Sequence, residues 1–78
     1  MLDCKIISPT KAKFFKELKS ITLPAWHEQA QILPSHAEAF ILLKKGQIAL
    51  ELADGSKRFV EIQKGGFYIK DDQAVVIL

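Results

Sequence analysis

The clearest indication of the fold comes from residues 47–62, which read QIALELADGSKRFVEI. Apolar residues alternate with polar or small ones on both sides of Asp54-Gly55, a dipeptide typical of a tight turn between antiparallel strands. A three-residue loop, Ala53-Asp54-Gly55, sets Ile48 opposite Val60 and gives its glycine the left-handed conformation of a bulge turn. We therefore predict a β-hairpin with this register.

Strand signals recur on both sides of this hairpin, whereas helix signals are weak. Residues 2–6 alternate between apolar and polar side chains, with Cys4 on the apolar face, and Ser8-Pro9-Thr10 ends the strand. Residues 74–78 are an apolar strand, which needs a partner strand to avoid becoming an aggregation-prone edge. Both ends of the chain are therefore predicted to lie in the sheet.

A second long strand is predicted before Pro24. Its apolar phase is even at Leu18 but odd at Ile21, which strict two-residue periodicity does not allow. We therefore predict a β-bulge near residues 19–20. The even phase at its start also predicts that Phe14 points to the core.

The middle of the chain mixes loop and strand signals. Pro24 and Pro34 bracket a segment that is predicted to be a loop. Residues 40–43 form a continuous apolar run, which predicts a strand buried on both faces. Gly65-Gly66 predicts a bend before a further strand. Taken together, the chain is predicted to be all-β, a small antiparallel β-sandwich or flattened barrel of about 8–10 short strands in one domain, residues 1–78.

The amino-acid composition limits the classes of protein to which this chain can belong. With 78 residues, 49% hydrophobic and 26% charged, the chain is an ordinary globular domain with little room for both a core and a deep catalytic cleft. One cysteine excludes a disulfide framework and a cysteine-based zinc site. Neither a signal peptide nor a membrane-spanning run is present. A binding or assembly module is favoured over an enzyme.

Few side chains in this sequence are suited to catalysis or to metal binding. His27 and His36 could be drawn with Glu28 and Glu38 as a metal or acid–base cluster, but their spacing matches no metal-binding signature. Cys4 is predicted to be a buried structural thiol. No catalytic, metal-binding or cofactor-binding residue is predicted.

Two features suggest partners. The lysines near Phe14-Phe15 form either a solvated face or an aromatic and basic surface for single-stranded nucleic acid, although a net charge of +2 gives little support to the second. Trp26 stands in a polar segment, where it either contacts a partner or packs across the mouth of a sandwich.

The order of short motifs along the whole chain resembles the N-terminal β-sandwich domain of the F-type ATP synthase epsilon subunit. The most specific motif is Leu33-Pro34-Ser35-His36-Ala37, which is similar to the family's Leu-Pro-Gly/Asn-His-Ala turn. The segments that carry the resemblance are residues 2–9, 17–24, 32–37, 43–48, 54–55 and 65–69.

This sequence departs from the family pattern around the loop after Pro24. The family usually has glycines at the positions of Ala25 and Glu28, and an acidic residue where Gln29 stands. Ser35 stands at the position of the glycine before the histidine. We expect a loop of different shape, at the end that touches the membrane rotor ring in the family.

The resemblance implies a non-catalytic rotor subunit of the central stalk, which binds the gamma subunit and couples it to the c-ring. It also implies a peripheral location on the cytoplasmic side of the bacterial inner membrane. The family's C-terminal helical hairpin inhibits ATP hydrolysis and in some members binds ATP. Because the 78 residues match the sandwich alone, we expect coupling without inhibition by that hairpin.

The resemblance also suggests two contact sites. For the c-ring it implies a polar surface, and for gamma a sheet face. The residues assigned to the c-ring are Trp26, Gln29, Gln31, Ser35 and His36, and those assigned to gamma are Phe40, Leu42 and Tyr68.

Two other functions compete with this interpretation. The first is a stand-alone β-barrel that binds single-stranded nucleic acid, for which binding should weaken steeply with salt. The second is a small hydrolase, against which the absence of any nucleophile–base spacing counts.

Overall fold

The computed structural model describes residues 1–78 as eight β-strands without a helix. No helix of the length and apolarity needed to cross a bilayer is present. The strands are β1 (Leu2–Ile7), β2 (Ala12–Pro24), β3 (Gln29–Ile32), β4 (Ala39–Leu43), β5 (Gly46–Leu52), β6 (Lys57–Ile62), β7 (Gly65–Lys70) and β8 (Gln73–Ile77).

The β5–β6 hairpin has the predicted register. Ile48 lies opposite Val60, and the Leu52 N–H donates to the Ser56 carbonyl at 2.8 Å, which leaves a three-residue loop. Gly55 has a φ of 90°, as a bulge turn requires. The carboxylate of Asp54 accepts hydrogen bonds from the backbone N–H and the hydroxyl of the same serine, which stabilises the turn.

The strands form one curled sheet in the order β4-β7-β8-β1-β2-β5-β6, with β3 paired to the last part of β2. The all-β class and the sandwich-like architecture are confirmed. The sheet is mixed, however, because β1 and β8 run parallel from Asp3↔Gln73 to Ile7↔Ile77. The prediction of a purely antiparallel sheet is wrong for this pair, since alternation along a strand does not reveal its direction relative to a neighbour.

Strand β2 contains two bulges. The predicted one is confirmed, because the pairing with β5 shifts register between Leu18 and Ser20. A second irregularity lies in the pairing with β1, where Glu17 has a φ of 56°. It reverses the alternation, so Phe15 packs against the core and Phe14 is exposed. The prediction that Phe14 points to the core is therefore wrong.

Three other predictions need correction. The segment between Pro24 and Pro34 is not all loop, because β3 pairs there with β2. Strand β4 is an edge strand with one exposed face, so its apolar run is not buried on both sides. Gly65-Gly66 opens β7 and does not form a bend. The residues that pair with these two glycines lie in β4 and β8. Turn propensity depends only on neighbouring residues in the sequence, so it does not indicate such distant pairing.

A single core lies on the inner face of the curled sheet, and every strand contributes to it. Residues at alternate positions of neighbouring strands meet there, as the two-residue period of a strand requires. Burial of these side chains is the main stabilising term. The buried hydrophobic residues are Leu2, Cys4, Ile6, Leu18, Ile21, Leu23, Ile32, Leu43, Ile48, Leu50, Ile62, Phe67, Ile69, Ala74 and Val76.

The predicted burial of Cys4 is confirmed, and it makes stability depend on pH. Burial raises the pKa of the thiol from 9.0 to about 12. Above pH 9 the unfolded state therefore loses a proton that the folded state keeps. We expect the free energy of unfolding to fall by up to about 1.4 kcal/mol per pH unit across this window. Urea denaturation at a series of pH values, compared with the Cys4→Ala variant, measures this term.

The lysines and Tyr68 also titrate at high pH, but both proteins contain them. The difference in the free energy of unfolding between the two proteins therefore removes their contribution. An unchanging difference in stability between the two proteins from pH 9 upward would contradict the prediction.

Candidate functional site

The outer surface of the sheet carries a row of large side chains across five strands. Phe40 lies opposite Tyr68, which lies opposite Val75, then Lys5, then Phe14. The rings at the two ends, those of Phe40 and Phe14, are 63% and 65% exposed. The Lys5 ammonium lies 5.2 Å from the centroid of the Phe14 ring, within cation–π range.

A second row runs parallel to the first. Leu42 lies opposite Gly66, followed by Ile77, Ile7 and Ala12. Leu42 and Ile77 are both more than half exposed. We refer to the two rows together as the outer face. Contiguous exposed apolar surface of this kind typically marks an interaction site, because its exposure to water is costly.

The three residues assigned from sequence to gamma lie together on the outer face. Phe40 and Tyr68 are direct cross-strand partners, and Leu42 is two residues further along β4. The Tyr68 hydroxyl donates to the carboxylate of Glu38, and this hydrogen bond raises the pKa of the tyrosine. Their grouping is a fact of the structure, and their role stays a prediction.

Trp26 lies beside the same face. Its side chain is 60% exposed and lines a depression of about 430 Å³ together with Phe40 and Leu42. The preceding residue, Ala25, bridges to Leu43 at the end of β4. Trp26 therefore extends the apolar surface at one end of this edge strand, and it does not pack across the mouth of the sandwich.

Ser35 and His36 lie at the other end of β4. The Ser35 N–H donates to the Asp72 carboxylate at 2.7 Å, in the turn between β7 and β8. The Nδ1 atom of His36 lies 2.7 Å from the Ala37 carbonyl oxygen, so it carries the proton. These residues line a polar depression of about 450 Å³ that also includes Glu38.

Of the five residues assigned to the c-ring, Trp26 does not lie with Ser35 and His36. Trp26 and His36 are at opposite ends of β4. Gln29 and Gln31 are exposed on β3, which pairs only with β2. Gln29 lines a further depression with Phe59.

Among the members of the outer face that are not assigned from sequence are Phe14, Ile7 and Ile77. Sequence reasoning assigns Phe14 to the wrong side of its strand, because the bulge at Glu17 carries no sequence signal. Ile7 and Ile77 belong to apolar stretches in which the pattern does not distinguish the two faces. Only the cross-strand register shows that they are neighbours.

The two histidines and their neighbouring glutamates do not form one cluster. No three His, Cys, Asp or Glu side chains are close enough to hold a metal ion. His27 lies with Glu28 beside Trp26, whereas His36 lies with Glu38 at the other end of the strand. The exposed surfaces can make contacts with a partner, and His27 and His36 do not form a shared acid–base site.

A small curled β-sheet with an apolar outer face is typical of a binding module. Residues 1–78 match the model of the family described as "ATP synthase, Delta/Epsilon chain, beta-sandwich domain". The chain belongs to this family. ATP synthase epsilon chains are structural and regulatory subunits and not catalytic ones.

Relatives support this assignment. The ATP synthase epsilon chain of a Nitratiruptor species is 34% identical over 77 residues, which are 99% of this chain and 60% of that protein. The epsilon chain of Chlorobaculum tepidum is 31% identical over 72 residues, which are 92% of this chain and 82% of that protein. This chain thus spans little more than half of the first relative.

A solved structure shows the same fold. The chain superposes with a TM-score of 0.80 and 14% identity on a chain of the Tetrahymena thermophila mitochondrial ATP synthase central stalk and c-ring structure. The match covers 97% of this chain and 61% of that one. At this level of identity the similarity concerns the fold alone.

Proposed function

We propose that this chain is a central-stalk subunit of a proton-translocating F-type ATP synthase, where it binds the gamma subunit and couples it to the c-ring. The match of the whole chain to the delta/epsilon family supports this proposal. On this proposal the chain is peripheral to the bacterial inner membrane, on its cytoplasmic side. It then needs no catalytic group and no cofactor of its own.

The proposed contact with gamma is supported mainly by the exposed apolar side chains of the outer face. Phe40, Leu42 and Tyr68 form an exposed cluster on this face, and Trp26 adjoins it. Aromatic side chains of this kind dominate binding energy when a partner buries them. Covering one such side chain contributes about 1.5–3 kcal/mol. We therefore assign Trp26 to the gamma surface as well, although the sequence places it with the c-ring residues.

The proposed c-ring contact is polar. Gln29, Gln31, Ser35 and His36 offer amide, hydroxyl and imidazole groups that suit polar loops at a membrane surface. His36 is the best-defined of these, because its Nδ1 is fixed by the Ala37 carbonyl and Nε2 is free to meet a partner. This assignment follows the Leu-Pro-Ser-His-Ala motif of residues 33–37.

Co-expression with gamma tests the proposal. A double variant, Phe40→Ser with Leu42→Ser, is expected to lower the affinity for gamma at least about tenfold, because it removes two exposed apolar side chains of the proposed contact surface. Trp26→Ala should weaken the same complex. Affinity purification followed by titration of the purified partners gives the measurement.

His36→Ala is the matched control. It is expected to leave gamma binding unchanged and to weaken association with a purified c-ring. A chain that forms no complex with gamma, or a double variant that binds gamma as well as the parent does, would reject the proposed surface.

A further inference from the structure

Two strand edges without a partner strand flank one depression on the side of the sheet away from β4. Residues 12–17 of β2 pair with β1 alone, because β5 begins its pairing at Leu18. Strand β6 ends the sheet and pairs only with β5. A depression of about 450 Å³ between these edges is lined by Lys13, Phe14, Phe15, Arg58, Phe59 and Val60. We call it the edge gap.

The backbone groups that face the edge gap follow from the hydrogen bonds already formed. Ser8 N–H donates to the Lys11 carbonyl, so the alternation of an antiparallel ladder turns residues 13 and 15 toward β1 and Phe14 away from it. Leu52 N–H donates to the Ser56 carbonyl, so the same alternation turns Arg58 toward β5 and Phe59 away. Phe14 and Phe59 thus present unpaired N–H and C=O groups on the two edges.

The side chains around the edge gap are apolar and cationic. The rings of Phe14 and Phe59 are both mostly exposed, whereas Phe15 and Val60 are partly buried and pack against the core. Lys13 and Arg58 are the charged residues of the lining, and no carboxylate is among them. An extended segment that enters here would meet a hydrogen-bonding edge, apolar contacts and positive charge.

We propose that the edge gap binds an extended acidic segment of a partner protein by β-strand addition. The segment would hydrogen-bond to the Phe59 edge of β6, place apolar side chains against Phe14 and Phe59, and place carboxylates near Lys13 and Arg58. Main-chain hydrogen bonds supply affinity in this mode of recognition, and side-chain pockets supply specificity. The site is separate from the outer-face cluster around Phe40 that is proposed for gamma.

Two other occupants fit less well. A second copy of this chain would bring its own Lys13 and Arg58 toward those of the first, and like charges at a strand pairing are destabilising. Single-stranded nucleic acid would match the rings and the positive charge, but it would leave the backbone groups of Phe14 and Phe59 unused. The Lys5 ammonium also covers one side of the Phe14 ring, where a base would stack.

A designed peptide tests the proposal directly. The probe is a capped heptapeptide of alternating Glu and Val, and its partner control replaces each Glu with Lys. We expect the 78-residue chain to bind the acidic peptide with a dissociation constant below about 1 mM and to bind the basic peptide at least about tenfold more weakly. Binding should slow the hydrogen exchange of the Phe59 amide, measured by NMR.

Two kinds of variant separate backbone pairing from side-chain contact. Phe59→Pro removes the outward N–H at an edge position that tolerates proline, whereas Phe59→Ala removes only the ring. Proline should weaken acidic-peptide binding at least about fivefold more than alanine. Arg58→Glu should weaken it at least about tenfold, and Lys45→Glu, an exposed charge reversal outside the lining, should not.

NMR spectra of each variant establish that it is folded before binding is compared. Absence of peptide binding, equal effects of Phe59→Pro and Phe59→Ala, or equal effects of Arg58→Glu and Lys45→Glu would each overturn the proposal. So would tighter binding of a twelve-nucleotide oligothymidylate than of the peptide, or a dimer of the free chain that Phe59→Pro dissociates.

Discussion

Replacement of Phe67 by alanine is expected to lower the free energy of unfolding by about 3–5 kcal/mol. Phe67 is fully buried and lies in β7 between β4 and β8, so the sheet on either side cannot readily collapse into the space left behind. A domain of this size has a total stability on the order of 4–12 kcal/mol. The variant should therefore lose a large share of its stability, with a melting temperature lower by roughly 12–40 °C.

Phe59→Ala is the matched control for this experiment, because the same ring is removed from an exposed position on an edge strand. It should change the free energy of unfolding by less than about 1 kcal/mol. Thermal and urea denaturation of both variants give the comparison. Similar losses for the two phenylalanines would show that the core is not organised around β7.

Gly65→Ala is expected to lower the free energy of unfolding by about 2–3 kcal/mol, although it adds only one methyl group. A Cβ atom at this position would lie 2.6 Å from the carbonyl oxygen of Ile77, which is closer than real contacts allow. Since that oxygen belongs to the backbone of β8, relief of the clash requires one strand to move away from the other.

The neighbouring glycine provides the control. A Cβ atom at Gly66 would lie 3.0 Å from the tip of the Phe40 ring, which is exposed and can turn aside. Gly66→Ala should therefore cost less than about 1 kcal/mol. Denaturation curves that place the two glycine variants at equal stability would contradict this account of why Gly65 is a glycine.

The parts of the fold that sequence reasoning predicts correctly depend on local chemistry. The β5–β6 register follows from the Asp54-Gly55 turn and two-residue alternation, both of which lie within a few residues of the contacts they determine. The bulge between Leu18 and Ser20 is predictable because it shifts the apolar phase in a visible way.

The parts that sequence reasoning misses depend on long-range pairing. The bulge at Glu17 places a non-glycine residue at positive φ, for which Glu offers no preference in the sequence. Strand β3 resembles a loop in sequence because Gln29 and Gln31 alternate with only two apolar residues and prolines flank the segment. The parallel pairing of β1 with β8 joins the two ends of the chain, a relation that no local pattern records.

The two candidate sites also differ in how well the structure matches the grouping expected from the sequence. The grouping of Phe40, Leu42 and Tyr68 is expected from the family resemblance, and the register of β4 with β7 places them together. The grouping of Trp26 with His36 is also expected from the family resemblance, but the two residues lie at opposite ends of a five-residue strand.

The parallel contact of β1 with β8 has a consequence for the order of folding. Strand β8 alone joins β7 to β1, so the pair β4-β7 and the group around β2 become one sheet only after β8 has inserted between them. Because β8 follows all the other strands in the chain, the loop that it closes on β1 includes almost every residue before it, and such closure has a high entropic cost. Folding is therefore expected to be slow for a domain of this length, in the range of milliseconds to seconds that is typical of β-proteins with distant contacts.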